Sequence, residues 1–355
     1  MSDHDGYYDD VISDIITKEM RINDLTFGLE SLYGGYSDSR LFRVKAQMYF
    51  SPFKDRMFDF PKIVIKINTR NGFAKEARTY SNVPKKAKCL LSPVNLEGTK
   101  SVKNSNFYYL IMEDLAEYDT LYSIICRKRV DKCLKDLFSD VFQKLSKFYD
   151  CNKKENQFGV VSRLYLGKIQ EISRGLKTRT RKEKILSNTS LKKLQEFSFC
   201  LSSVVKQIEP PFTTLSHGDL NARNIMIREN DFDVKLIDLF SLNNFGDYVY
   251  DLGQLLCNLT EVLPITETYP AQIHQIDSEK LELSKFVKKI LYEEIKKVKN
   301  HLEDKDEFFE LRLELAQVRF LLNCALRSDK IRATAFAEKG VEKFSSFFEK
   351  IREIS

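Results

Sequence analysis

The chain has 355 residues, with 57 Lys and Arg against 51 Asp and Glu, so its formal net charge is only +6. With 43% hydrophobic and 12% aromatic residues, it has the apolar surface to build a core. It is neither a disordered acidic tail nor a uniformly basic nucleic-acid coat. Thirteen Gly and eight Pro are too few for a fibrous or low-complexity protein, and the length predicts two domains or lobes.

The first ten residues carry no basic region followed by an apolar stretch, and no 18-residue apolar run occurs anywhere. The expectation is a cytoplasmic protein without a membrane partner. Seven cysteines, an odd number without C-x-x-C spacing, include apolar settings such as Leu-Leu-Cys257. They predict buried thiols in a reducing compartment. The four histidines show no metal-ligand spacing.

Along the first ~115 residues, apolar positions alternate with polar ones or form short β-branched and aromatic runs. This predicts strands at 26–33, 40–49, 63–67, 89–95 and 107–113, with a short helix at 73–80 between the third and fourth. From about residue 120 the spacing turns helical, as in Leu134, Leu137, Phe138, Val141, Phe142, Leu145 and Phe148. Further helices are predicted over 281–302, 307–326 and 335–354. The fold class is therefore α+β in two lobes: a small antiparallel sheet with one helix over 1–114, and a large helical body over 115–355.

One strongly punctuated segment interrupts the helical body. It runs Leu215-Ser216-His217-Gly218-Asp219-Leu220-Asn221-Ala222-Arg223-Asn224-Ile225-Met226-Ile227, then Val234-Lys235-Leu236-Ile237-Asp238. Two short apolar strands here would pair as a hairpin, putting Asp219 and Asn224 before the first and Asp238 after the second, at one end of the ribbon. A carboxylate and an amide oxygen suit Mg²⁺, a hard cation that shares its other positions with phosphates and water. Asp219 is then available to orient a substrate hydroxyl and accept its proton. Taken singly, each is equally an ordinary turn residue.

The string HGDLNARNIM followed by LIDLF closely resembles the catalytic and metal-binding motifs of the aminoglycoside phosphotransferase and choline kinase group of the protein-kinase-like fold. Gly246-Asp247-Tyr248-Val249-Tyr250-Asp251-Leu252 resembles that group's G-D-x-x-x-D-L element. The resemblance implies a catalytic role for Asp219, metal ligation by Asn224 and Asp238, and a brace for the catalytic loop at Asp251, with His217 structural.

It also directs attention to the first lobe, where phosphoryl transfer needs a lysine for the nucleotide phosphates. In Ile63-Val64-Ile65-Lys66-Ile67 the period of two sets the three isoleucines on one face and Lys66 with Val64 on the other. Glu76 on the short helix matches the family's partner for Lys66; Lys62 is the competing lysine. The turn containing Gly34, Gly35, Ser37 and Ser39 resembles the short glycine-and-serine loop that covers phosphates. Leu110 to Leu115 resembles the inter-lobe hinge, giving Met112, Glu113 and Leu115 to the nucleotide base, with a core role for Met112 as the alternative. The cofactors implied are ATP, with GTP as the other candidate, and Mg²⁺.

Only 12 residues separate Asp238 from Asp251, and Gly218 stands where protein kinases usually carry arginine, so there is little room for a peptide platform. A small-molecule hydroxyl is the expected acceptor. Between Arg163 and Lys193 lie ten basic and two acidic residues, a local +8 that leaves about −2 for the rest. That argues against a cationic acceptor and for a neutral or anionic one: a sugar, a nucleoside or a phosphorylated metabolite. The other reading of this stretch is a solvated basic face. A kinase acting on protein or nucleic acid and a non-catalytic pseudokinase are the rival functions; no nucleic-acid partner is expected, and no oligomeric state is written in the sequence.

Overall fold

The computed structural model describes residues 5–19, 27–32, 40–45, 48–51, 56–59, 62–68, 79–92, 94–102, 105–127, 132–156, 159–268 and 278–354. By contact the chain divides into two units, 1–118 and 119–355.

The first unit is built on a five-stranded antiparallel sheet in the order β1-β2-β5-β7-β6. These strands are β1 (Gly28–Leu32), β2 (Arg40–Lys45), β5 (Ile63–Asn68), β6 (Val94–Val102) and β7 (Ser105–Glu113), and β3 (Met48–Ser51) with β4 (Arg56–Asp59) forms a separate hairpin. The central β5 is paired on both sides, with Lys66 opposite Leu41 of β2 and Leu110 of β7. As its period of two requires, Ile63, Ile65 and Ile67 enter one core with Phe42, Val44, Phe107, Tyr109 and Ile111.

That core has a lid the sequence reading did not anticipate. The helix Asp5–Glu19 presents Val11, Ile12, Ile15 and Ile16, all fully buried, to the sheet. Each such side chain contributes roughly 1.5–3 kcal/mol of transfer free energy.

Other expectations are corrected. The strand expected at 40–49 is two strands, β2 and β3, belonging to different sheets. Within 89–95, Cys89 and Leu90 continue the turn after the one-turn helix Lys85–Lys88, and the strand starts only at Val94. Of the helix expected at 73–80, residues 79 and 80 are helical; residues 73–78, with Glu76, lie outside the described residues, as do Gly34, Gly35, Ser37 and Ser39.

The second unit is helical, with two small sheets inserted. β10 (Phe212–Ser216) pairs with β13 (Asn243–Gly246) and β9 (Lys154–Glu155), and β11 (Ile225–Arg228) pairs with β12 (Asp233–Leu236) and β8 (Asp119–Thr120). The amphipathic helix Lys132–Asp150 buries Leu134, Leu137, Phe138, Val141, Phe142, Leu145 and Phe148. The helices Gly167–Glu183, Asn188–Val204, Phe309–Arg327 and Lys330–Ile354 share a large core that includes Tyr165, Leu176, Leu194, Leu321, Phe344 and Phe347. Among the described residues no helix is long and apolar enough to cross a membrane.

Part of the basic stretch is structural. Arg179 donates through Nη1 to the carbonyls of Ala325 (2.8 Å) and Leu326 (3.1 Å), closing the C-terminal end of the Phe309–Arg327 helix with a cation. The cysteine expectation fails: Cys257 is buried, but Cys89, Cys126, Cys133 and Cys200 are exposed. Apolar neighbours in sequence do not share a helical residue's face, so a thiol beside leucines can still point to solvent.

Candidate active site

The site in the second unit is assembled from a loop, a hairpin and one helix. β11 and β12 pair in register from Ile225–Leu236 to Arg228–Asp233, and the ladder is extended by Ile237 N–H donating to Asn224 O at 3.0 Å. Asn224 and Asp238 therefore flank the same end of the ribbon. Asp238 adopts left-handed dihedrals (φ 60°, ψ 61°), which Asp tolerates better than most residues, and its side chain is exposed as the chain turns into Leu239–Ser241.

The loop before β11 is held by hydrogen bonds of its own. Asn224 Nδ2 donates to Asp219 O at 2.9 Å, which leaves the Asn224 amide oxygen as the acceptor end. An amide oxygen and a carboxylate at one ribbon end are the hard-oxygen donor set that suits Mg²⁺ completed by phosphate and water oxygens. Gly218 has φ +77°, and a Cβ there would lie 2.3 Å from Ser241 O. Glycine is thus required twice, for the backbone conformation and for the close approach of the turn after Asp238.

His217 is fully buried. Its Nε2 donates to Ile237 O at 2.8 Å, while its Nδ1 accepts from Asp219 N at 3.3 Å. Only the neutral Nε2–H tautomer satisfies both bonds. His217 ties the loop to the hairpin and presents no group for chemistry.

Beneath the loop runs the helix Tyr248–Cys257, capped by Asp247, whose Oδ1 accepts from Val249 N at 3.0 Å. Asp251, fully buried, accepts from His217 N (2.6 Å) and Gly218 N (2.8 Å), one through each oxygen. Burial pushes its carboxyl up to about 7; the two N–H donors oppose that shift, and the Asp247 and Asp219 carboxylates reinforce it.

Sequence reasoning missed two further contacts from the same helix face. Gln254 Nε2 donates to Asp219 Oδ1 at 2.6 Å, and Asn258 Oδ1 accepts from Ala222 N at 3.0 Å. Asp251, Gln254 and Asn258 stand at i, i+3 and i+7, three polar side chains on an otherwise apolar segment, and that pattern is the signal that could have found them.

In the first unit, Lys66 is buried on β5, and its neighbour Val64 pairs with Met112 of β7. Met112 packs partly buried against Leu110. Glu113 is exposed, and Leu115 half-buried. The segment is fixed by Asp114 N–H donating to Lys62 O (2.9 Å) and by Arg43, whose Nε and Nη2 grip the Asp114 carboxylate at 2.7 and 3.2 Å. Lys62 is exposed and paired with Glu117.

The family model described as ecdysteroid kinase-like matches residues 57–267. Comparison with curated proteins finds no match. Among solved structures, a thermostable mutant of aminoglycoside phosphotransferase APH(4)-Ia in apo form superposes with a TM-score of 0.51 at 14% identity, over 95% of this chain and 98% of that one. ADP-bound APH(2'')-Ib gives 0.50 at 18% identity, over 95% and 98%, and a glucosamine kinase gives 0.51 at 9%, over 98% and 85%. At these identities the likeness is one of fold. The family match spans residues 57–267 of 355, more than half of the chain, and with the loop, hairpin and helix described above it leads to one conclusion: the chain belongs to the ecdysteroid kinase-like family and has the two-part kinase-like fold of small-molecule phosphotransferases.

Proposed function

We propose that the chain moves the γ-phosphoryl group of ATP, or of GTP, to a hydroxyl of a neutral or anionic small molecule, such as a sugar, a nucleoside or a phosphorylated metabolite. The observation that carries this reading is the held carboxylate of Asp219: one oxygen is fixed by Gln254, its backbone N–H donates to His217, and its carbonyl accepts from Asn224.

Asp219 orients the acceptor hydroxyl and takes its proton as the hydroxyl oxygen bonds to the γ-phosphorus and the nucleoside diphosphate leaves. Asn224 and Asp238 are the residues that would hold Mg²⁺, which when bound neutralises charge on the phosphate oxygens. Lys66, steadied by Glu76, is assigned to the α- and β-phosphates, with Gly34, Gly35, Ser37 and Ser39 covering them and Met112, Glu113 and Leu115 at the base. Most of the acceleration comes from positioning and preorganised charge.

The test is a metabolite-extract screen with labelled ATP, comparing wild type with Asp219→Asn. The variant should lose about 10²–10⁴-fold in transfer while keeping nucleotide affinity and its melting temperature. Unchanged turnover would remove Asp219 from the role of base.

A further inference from the structure

The five-stranded sheet of the first unit has two faces. The isoleucines of β5 point into the core closed by the Asp5–Glu19 helix. On the other face, directly opposite residues line up in rows across β2, β5 and β7: Leu41, Lys66 and Leu110 form one row, and Arg43, Val64 and Met112 the next. Leu110 and Met112 belong to a small apolar cluster separate from that core. This second face is the one assigned above to the nucleotide, with Lys66 at the phosphates and Met112 at the base. Arg43 stands in the row of the base.

The path of the Arg43 side chain follows from its partner. Its Nε and Nη2 donate to the Asp114 carboxylate at 2.7 and 3.2 Å. Asp114 continues the β7 ladder, its N–H donating to Lys62 O, and β7 lies on the far side of β5 from β2. With neighbouring strands about 4.8 Å apart, the two residues are rooted about 10 Å from each other, so the arginine stem runs across β5 beside Val64 to reach the carboxylate. Nη1 donates to Glu30 of β1 at 3.0 Å, and Glu30 is held in turn by Lys45 at 3.0 Å. All three nitrogens are thus engaged in the guanidinium plane, and two carboxylates neutralise its charge. What such a group still offers is its flat face, which stacks on a π-system. The Arg43 side chain is 26% exposed and that of Asp114 7%, so the arginine is the member of the pair that a ligand meets.

We propose that Arg43 is the purine-selecting residue of the nucleotide site: its guanidinium, held flat by Asp114 and Glu30, stacks on the base of ATP or GTP. This rests on the phosphotransferase reading above and deepens it at the base. The two fused rings of a purine cover more of that plane than the single ring of a pyrimidine, so the contact discriminates between them. The same ion pair fixes Asp114, and with it residues 113–115 at the edge of the base.

The test is calorimetric titration of ATP, GTP and UTP, each with Mg²⁺, into the full chain, on wild type, Arg43→Met, Arg43→Lys and Asp114→Asn. The readout is the ratio of the UTP dissociation constant to that of the tighter purine nucleotide, because the phosphate contacts are common to all three and cancel. Wild type should prefer the purine by at least ~10-fold, the order of one stacked base. Arg43→Met and Arg43→Lys both lack the plane and should lose most of that preference, through weaker purine binding. Asp114→Asn keeps the plane, loosens its anchor and should fall between. A purely structural ion pair would weaken all three nucleotides by the same factor and leave the ratio unchanged. An unchanged ratio in both Arg43 variants, or a wild type that binds UTP as tightly as the purines, overturns the proposal. Arg43→Lys, which keeps the charge, decides the matter if Arg43→Met does not fold. Purine binding with an unchanged ratio sinks this inference alone. A wild type that binds none of the three nucleotides removes the phosphotransferase reading and this proposal with it, and Arg43-dependent purine selectivity without Asp219-dependent transfer sinks the reaction instead.

Discussion

The amide of Gln254 gives one hydrogen to Asp219 Oδ1 at 2.6 Å, while its own Oε1 is buried with no partner among the described residues. A buried acceptor left unpaired costs about 1–3 kcal/mol, so the side chain is a poor choice for stability. The contact orients the carboxylate, and the prediction separates orientation from stability. Gln254→Leu should leave the urea midpoint unchanged or slightly raised and the nucleotide KM within about twofold, while kcat falls roughly 10- to 100-fold, because a catalytic group displaced by about an ångström loses that order of rate. A variant that loses stability and keeps kcat would make Gln254 a packing residue. Around it, Asp219, Asn224 and Asp238 were legible because their arrangement is local: a loop and a hairpin within 20 residues, tied by short-range backbone bonds. Gln254 and Asn258 were not, since each acts on a residue more than 30 positions away, through a helix whose facing follows from packing.

Among the elements, the helix Tyr248–Cys257 is the most constrained. Its Gly253 admits the Phe309–Arg327 helix so closely that a Cβ would lie 2.6 Å from the Ala316 side chain and 2.7 Å from Leu313 O. Its cap, Asp247, takes hydrogen bonds from Tyr165 (2.8 Å) and Arg312 (3.0 Å) through one oxygen while the other caps the helix. Arg312 thus joins the cap to Asp304 and Asp306, on the connection leading into its own helix. Burial works against its charge, but Asp247 and Asp306 hold its pKa well above the ordinary value. Arg312→Met would leave those carboxylates buried without their cation. The expected loss is about 3–5 kcal/mol, read as a fall in the urea midpoint, and a loss below 1 kcal/mol would mean that the carboxylates find other partners. Element types were readable where a stripe ran for several turns, as over Lys132–Asp150. The Asp5–Glu19 helix escaped notice because its apolar face is only Val11, Ile12, Ile15 and Ile16, set among Asp and Tyr in a stretch too short for its period to stand out. The strand at 40–49 was overcalled for a related reason: β2 and β3 are both extended, and pairing partners, which sequence does not display, assign them to different sheets.

For the whole molecule, a net charge of +6 hides two opposed pH dependences. Asp231, exposed beside Arg228 and accepting from Arg228 and the Asp233 N–H, is lowered to about 2, so its contribution is present above the unfolded value and lost as pH falls from about 4 toward 2. Asp251 runs the other way. An unfolded aspartate titrates near 4, and the buried one is pushed up to about 7. Between those values the folded chain holds more protons than the unfolded one, so this group's contribution is greatest below about pH 4 and declines as pH rises to about 7, by at most about 1.4 kcal/mol per pH unit for one proton. Asp247, raised chiefly by burial, adds in the same direction. The ionised Asp251 is nevertheless the form with an acceptor oxygen for each of the His217 and Gly218 N–H groups. The catalytic loop is therefore braced best in the range where the fold gains least from that side chain. Urea titrations from pH 5 to pH 8 on wild type and Asp251→Asn isolate the effect: the stability of wild type relative to the variant should shrink between pH 5 and pH 7 and level off above. A difference that stays flat from pH 5 to pH 8 would place the Asp251 carboxyl at or below its unfolded value, and the loop would then be held by a carboxylate at no cost to the fold.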